Sequence, residues 1–233
     1  AIIDVISANE HLAASADGLV VGSDYWLRAD PAHLQMQRDS FSLAEPTPVP
    51  MDASELQLLV SSLNAHFQQD LNMKFEQGRS GACYLRLLQD PQIKTSVPSA
   101  AIGKNIFQFM PQGEASAQWR AYLNEIQMLL HTHPLNVQRE SAGLPVINSI
   151  WLSGGGVMPQ ADSGTQGSIC IVASQPLHRG LAQYIGVACQ NMPASMKDLL
   201  SNNVCTHMHV ACPTEWMSDD HCFQVLVDAL KTG

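Results

Sequence analysis

The chain has 233 residues, 45% of them hydrophobic, and a formal net charge of −9. That is enough apolar material for one large domain, or for a domain carrying a smaller lobe, and it argues against disorder. The scarcity of Lys and Arg argues against nucleic acid and anionic membranes as partners, since both need a positive surface. No apolar run approaches the roughly 20 residues of a membrane-spanning helix.

Residues 1–16 mix apolar and small residues without a clear period, and Asp17-Gly18 turns the chain toward a short strand at 25–27. Arg28-Ala-Asp-Pro31 breaks that strand. Three prolines within residues 45–50 suit neither helix nor central strand, so a linker and a lobe boundary are expected there. Asp52 followed by Glu55 forms a near capping box. Leu56, Leu59, Val60 and Leu63 then recur on one face, which predicts an amphipathic helix over 52–69. Residues 73–76 and 82–88 read as two strands around a turn at 77–81, so 46–110 forms a small α+β lobe.

Trp119, Tyr122, Leu123, Ile126, Leu129 and Leu130 keep a helical period as far as His131. Residues 146–152 read as a buried strand, 153–156 as its turn, 168–173 as another strand and 179–187 as a helix closing at Gly186. A strand at 203–211 and a helix at 222–231 follow. Strands alternating with helices predict a three-layer α/β core with a mostly parallel sheet, built from residues 1–45 and 111–233. The cysteines at 83, 170, 189, 205, 212 and 222 form no CxxC pair and sit in apolar stretches, which reads as free thiols in a reducing compartment, the cytoplasm. The chain begins at Ala1 rather than Met, and nothing in it asks for a signal peptide.

Three constellations could carry chemistry. His131-Thr-His133-Pro-Leu-Asn136 is followed by Arg139, Glu140, Asn148 and the glycines 154–156. Arg and Asn side chains with the free N–H groups of a glycine turn are the groups that hold phosphate or carboxylate oxygens. The alternative is structural: the histidines satisfy the last carbonyls of a helix, Arg139 pairs with a carboxylate, and the glycines make a turn. Cys205, His207 and His209 share one face of a strand and could converge on zinc, with Cys212, Asp219, Asp220 and His221 close behind. The alternative is a pair of core histidines. Arg28, Asp30 and His33 stand where the first strand ends, either as a functional loop or as an exposed turn in which Asp30 caps what begins at Pro31. There is no GxSxG, Walker or dinucleotide motif.

The run His133-Pro-Leu-Asn136, Arg139, Gly143-Leu-Pro-Val-Ile-Asn148-Ser-Ile-Trp151-Leu-Ser-Gly154-Gly-Gly156 resembles archaeal-type cofactor-independent phosphoglycerate mutases. There a His-Pro-x-Asn-x-x-Arg segment leads into an Asn-x-Ile-Trp-Leu-Trp-Gly-x-Gly strand and turn. Residues 169–186, with Arg179-Gly180, are similar to the next strand and the Lys-Gly-Ile helix start of that family. Leu27-Arg28 and the helix from Asp52 fit its edge strand and following helix more loosely. Mutase-like proteobacterial proteins carrying the same central motif look closer still.

The resemblance implies an alkaline-phosphatase-type fold, two divalent metals (Mn or Zn), and a serine that is transiently phosphorylated. Both metals clamp the attacking and leaving oxygens, so each ligand matters. The family's Asp-Gly metal segment has no counterpart at residues 1–16. After the strand at 203–211, Thr214 stands where the family has Asp, Glu215 remains, and Ser218 takes the approximate place of a His. The expectation is therefore a degenerate mutase-like protein that keeps Arg28, His133, Asn136, Arg139 and Asn148 for a phosphorylated or carboxylated small molecule, or acts in regulation. No cofactor is expected in that reading. The alternatives are an active metal-dependent mutase or phosphatase, for which His207, His209, Glu215 and His221 are the candidate ligands, and an interaction protein keeping only the fold.

Overall fold

A computed structural model describes residues 10–38, 40–70, 72–157, 169–200 and 207–210. The chain divides into two compact units, Ala1–Met158 and Pro159–Gly233.

The first unit is built on a four-stranded sheet of order β4-β5-β1-β6. Strand β1 (Tyr25–Ala32) lies between β5 (Cys83–Leu87) and β6 (Ser149–Gly156), and β4 (Met73–Gln77) pairs the far side of β5. Every pairing is antiparallel, with Arg28 opposite Tyr84, Asp30 opposite Trp151 and Phe75 opposite Leu85. This corrects the expectation of a mostly parallel main sheet. The short turn between β4 and β5 forces an antiparallel hairpin, and the helices between β5 and β6 return the chain beside β1 in the opposite sense. A second hairpin, β2 (Leu34–Met36) with β3 (Phe41–Leu43), stands apart from this sheet.

One face of the sheet is apolar. Leu27, Ala29, Phe75, Cys83, Leu85 and Leu152 pack there against Leu56, Leu59 and Leu63 of α2 (Ala53–His66) and Trp119, Leu123 and Ile126 of α4 (Ser116–His131). Each fully buried Leu contributes roughly 1.5–3 kcal/mol of transfer free energy. The start of α2 is set by the expected capping box: Asp52 accepts from the N–H groups of Ser54 and Glu55, while Glu55 accepts from the Asp52 N–H. The other face alternates in register with this one and carries Trp26, Arg28, Asp30 and Tyr84, over which α1 (Glu10–Ala16) buries His11, Leu12, Ala13 and Ala14. Short helix α3 (Pro98–Ala101), a 3-10 turn at Ile106–Phe109 and helix α5 (Pro134–Ser141) complete the unit.

Two boundaries differ from the sequence reading. Strand β1 does not stop at Leu27 but runs through Arg28, Asp30 and Pro31, so Asp30 is a strand residue rather than a cap. The proline is tolerated because β5 pairs β1 only as far as Arg28; beyond it β1 has a single strand neighbour. Glycines 154–156 likewise continue β6 instead of turning, with Gly156 opposite Trp26 across a register shift. Gly154 and Gly155 have φ of 65° and 132°, and a Cβ there would meet Glu10 Oε1 at 2.8 Å and the Tyr25 hydroxyl at 2.5 Å. Only glycine fits that conformation and that approach.

The second unit does show the parallel arrangement. Strand β7 (Ile169–Val172) is flanked in parallel by β8 (Ala188–Gln190) and β9 (His207–Val210), with α6 (Pro176–Ile185) and α7 (Met196–Leu200) as crossovers. Gly186 closes α6 in the left-handed conformation at φ 72°. Cys170 is disulfide-bonded, whereas Cys83 and Cys189 are free thiols, which corrects the expectation of free cysteines throughout. The helix expected over 222–231 lies outside the described residues. Among the described residues no helix is long and apolar enough to cross a membrane.

Candidate functional site

The residues from the central motif come together around the loop between α5 and β6, and their polar atoms are spent on the protein itself. His133 is the N-cap of α5, accepting the Leu135 N–H, and its Nε2 lies 2.8 Å from the Ser62 hydroxyl of α2. Burial holds its pKa below the ordinary imidazole value. Asn136 donates to the carbonyls of Leu130 (2.8 Å) and Ile147 (2.7 Å) and accepts the Ile147 N–H (2.8 Å). Asn148 repeats the device at the edge of β2: it accepts the Leu34 N–H and donates to the Leu34 carbonyl. These two side chains act as surrogate strand partners for backbone that has none.

Arg139 is 2% exposed. Its Nε donates to the Pro145 carbonyl (2.7 Å), Nη1 to Glu55 (2.7 Å) and Nη2 to the Pro50 carbonyl (3.1 Å). One guanidinium thus ties α5, the capping box of α2 and the proline segment together. His131, the last residue of α4, is exposed.

Arg28 is placed differently. It projects from β1 toward the α1 side, lies 5.3 Å from the centre of the Tyr84 ring and donates through Nε to Asp30 Oδ1 at 2.6 Å. Among the described residues no hydrogen bond is made by its two terminal nitrogens. It lines a cavity of about 200 Å³ with Asp30, Pro48, Met51, Leu56 and Ser80, at the point where β5 ends and β1 continues. The proline segment forms the outer wall, held by the Val49 N–H donating to the Pro31 carbonyl.

Glu10 and Tyr84 in this neighbourhood were not singled out in the sequence. Glu10 lies against Gly154, and burial pushes its carboxyl up to about 7, against the pull of Arg28 and with the help of Asp30. Burial also raises Asp30, although Arg28 opposes it. Burial works against the charge on Arg28, but Asp30, Tyr84 and Glu10 more than offset it, so the pKa rises. Tyr84 donates to Asp17 Oδ2 at 3.2 Å, and burial raises its hydroxyl well above the ordinary phenol. Asp17 accepts from the Ser80 N–H (2.6 Å) and hydroxyl (2.7 Å), which pins the β4–β5 turn to the end of α1. Burial pushes the Cys83 thiol, also on the cavity wall, up to about 12, so it stays protonated. Tyr84 was accessible from strand alternation, since it sits opposite Arg28 in register. Glu10 carried no signal, because its importance comes from the close approach of Gly154.

His207 and His209 occupy β9 at the positions opposite Ile169 and Ile171. Cys205, Cys212, Glu215, Asp219, Asp220 and His221 lie outside the described residues. Among the described residues no group of three or more His, Cys, Asp or Glu stands where it could hold a metal ion.

The family model for 2,3-bisphosphoglycerate-independent phosphoglycerate mutase matches residues 12–136, more than half of the chain. The mutase of that name from Thermoplasma volcanium is 31% identical over 98 residues, 40% of this chain and 24% of that protein. The solved cofactor-independent phosphoglycerate mutase of Thermoplasma acidophilum is similar with a TM-score of 0.48 and 16% identity, over 97% of this chain and 64% of that one. The Pyrococcus horikoshii protein PH0037 is similar with a TM-score of 0.47 and 14% identity, over 90% and 54%. The chain thus spans about a quarter of the curated relative's length. The match over residues 12–136 places the chain in the 2,3-bisphosphoglycerate-independent phosphoglycerate mutase family.

Proposed function

We propose that this family member binds a small phosphorylated or carboxylated molecule at Arg28, as a binding or regulatory protein with a degenerate metal site. The observation that carries the reading is the state of that guanidinium: Nε is anchored by Asp30, while its terminal nitrogens face a cavity and have no protein partner among the described residues. A guanidinium oriented this way presents two parallel donors to a carboxylate or phosphate, the bidentate geometry that favours Arg over Lys. The apolar wall of Pro48, Val49, Met51 and Leu56 keeps competing water low, which strengthens such a pair. In this reading Asn136, Arg139 and Asn148 build the frame that holds the proline wall, and the binding needs no metal.

Calorimetric titration with 3-phosphoglycerate tests the reading. The native chain should give a saturable heat, and the double variant Arg28→Met/Asp30→Leu, which removes the pair without orphaning either charge, should bind at least tenfold more weakly with its melting temperature kept. No heat from the native chain, or equal binding by the double variant, would refute it. A second reading, interconversion of phosphoglycerates, is favoured by family membership, and turnover of 3-phosphoglycerate in the presence of Mn is its assay.

A further inference from the structure

A second cavity, of about 240 Å³, opens at the other end of the main sheet, away from the proline segment. Its floor is Met73 of β4 and Leu87 of β5. Its walls are the turn at Asp70 and Asn72, the loop from Gln89 to Gln92, and the first turns of α4, which contribute Trp119 and Tyr122. Two properties distinguish it from an ordinary surface dimple.

The first is charge. Asp70 and Asp90 both line the cavity, and among its described lining residues there is no Lys, Arg or His to answer them. Both carboxylates are oriented before any ligand arrives. Asp70 accepts from the Asn72 N–H at 3.1 Å and, through its other oxygen, from the Tyr122 hydroxyl at 2.8 Å. Asp90 accepts the Gln92 N–H through Oδ1 at 2.8 Å, and its Oδ2 makes no hydrogen bond among the described residues.

The second is independent of the first: two of the other lining residues, Trp119 and Tyr122, are aromatic. Tyr122 stands edge-on to Trp119 at 5.5 Å and to Phe67 at 5.8 Å, and the Trp119 indole N–H is tied to the Pro91 carbonyl, so the aromatic wall is rigid. Carboxylates can attract a hydrated metal ion, but aromatic faces discriminate for weakly hydrated organic cations through the ring quadrupole. A cavity of this size takes a guanidinium or an alkylammonium head with its first methylenes against Met73 and Leu87.

We infer that this cavity is a binding site for an organic cation of the guanidinium or alkylammonium class, held between Asp70 and Asp90 and covered by Tyr122 and Trp119. The cation comes either as a free amine or as an Arg or Lys side chain of a peptide. Both present the same head group.

The test is a titration of the whole chain with two probes, agmatine and the peptide acetyl-Gly-Arg-Gly-amide, read by calorimetry at low salt. At least one probe should bind saturably. Asp70→Asn and Asp90→Asn should each weaken it fivefold or more, while the exposed-charge variant Glu140→Gln should not. Asn retains an acceptor for the Asn72 and Gln92 N–H groups, and Asp90 is exposed, so both variants should keep the native melting temperature. Tighter binding of agmatine assigns the site to a free amine, and tighter binding of the peptide assigns it to a protein side chain. Absence of saturable binding by both probes overturns the inference. So does unchanged affinity in both Asn variants.

Discussion

Arg139 and Arg28 invite comparison because both lie under the same proline segment, one on each side of the main sheet, and both are paired with a carboxylate. Arg139 has every nitrogen committed, to Glu55 and to the carbonyls of Pro145 and Pro50. Arg28 commits only Nε, to Asp30, and turns the rest of its fork to a cavity. The difference is one of backbone supply. Around Arg139 the chain ends a helix and crosses two prolines whose carbonyls lie outside any helix or strand ladder, and the guanidinium donates to them. Around Arg28 the backbone is in a strand, with its carbonyls already used by the ladder. The side chain is then held by a neighbour on the same strand and keeps donors in reserve. Identical chemistry becomes a structural clamp in one place and, in the function proposed above, a binding group in the other.

The comparison can be broken most severely at the clamp. Arg139→Met should destabilise the fold by about 2–4 kcal/mol, because it takes the buried guanidinium from Glu55 and from the Pro145 and Pro50 carbonyls at once. Urea denaturation measures this, and a loss below about 1 kcal/mol would mean that Arg139 is not the clamp described. Arg139→Lys should recover little, since one ammonium cannot span three acceptors.

The next effect belongs to the other region, where two carboxylates, Glu10 and Asp30, face one guanidinium. Glu10 has its pKa raised from 4.5 to about 7, so the folded chain holds a proton that the unfolded chain has lost over that window. Its contribution is fully present below pH 4.5 and is lost as the pH rises toward 7. Against Glu10→Gln, the native chain should lose no more than about 3 kcal/mol of relative stability between those limits. Denaturation curves of the two proteins at matched pH values read the difference directly, and a flat difference would remove Glu10 from the cluster.

Smaller effects sharpen the frame. Asn136→Ala removes three buried hydrogen bonds and should cost about 2–3 kcal/mol by denaturation. Asn148→Ala removes two at a partly open edge and should cost about 1–2 kcal/mol, with faster amide exchange at Leu34. Smallest of all, Arg28→Met/Asp30→Leu should change stability by less than about 1 kcal/mol, since a buried pair replaced by apolar groups of similar volume is close to neutral.

Much of the apolar framework was legible in the sequence. The capping box and the spacing of Leu56, Leu59, Val60 and Leu63 located α2, and the period from Trp119 to Leu130 located α4. Pro31 and the three glycines misled, because a proline usually ends a strand and a glycine run usually turns one. Here β5 stops before Pro31, and Glu10 and Tyr25 press on the backbone at Gly154 and Gly155. The sheet's direction was misjudged because alternating strands and helices read alike whether the crossover returns parallel, as at β7 and β8, or antiparallel, as at β5, β1 and β6. For the site, residue type alone could not separate Arg28 from Arg139. That distinction depends on which carbonyls lack donors, a property of the folded backbone.

The division between the two arginines can be observed at their side chains. In a titration with 3-phosphoglycerate followed by nitrogen-detected NMR of the arginine Nε groups, the Arg28 resonance should shift and saturate while that of Arg139 stays fixed. Movement of Arg139 in place of Arg28, or no movement of either at saturating ligand, would contradict the account.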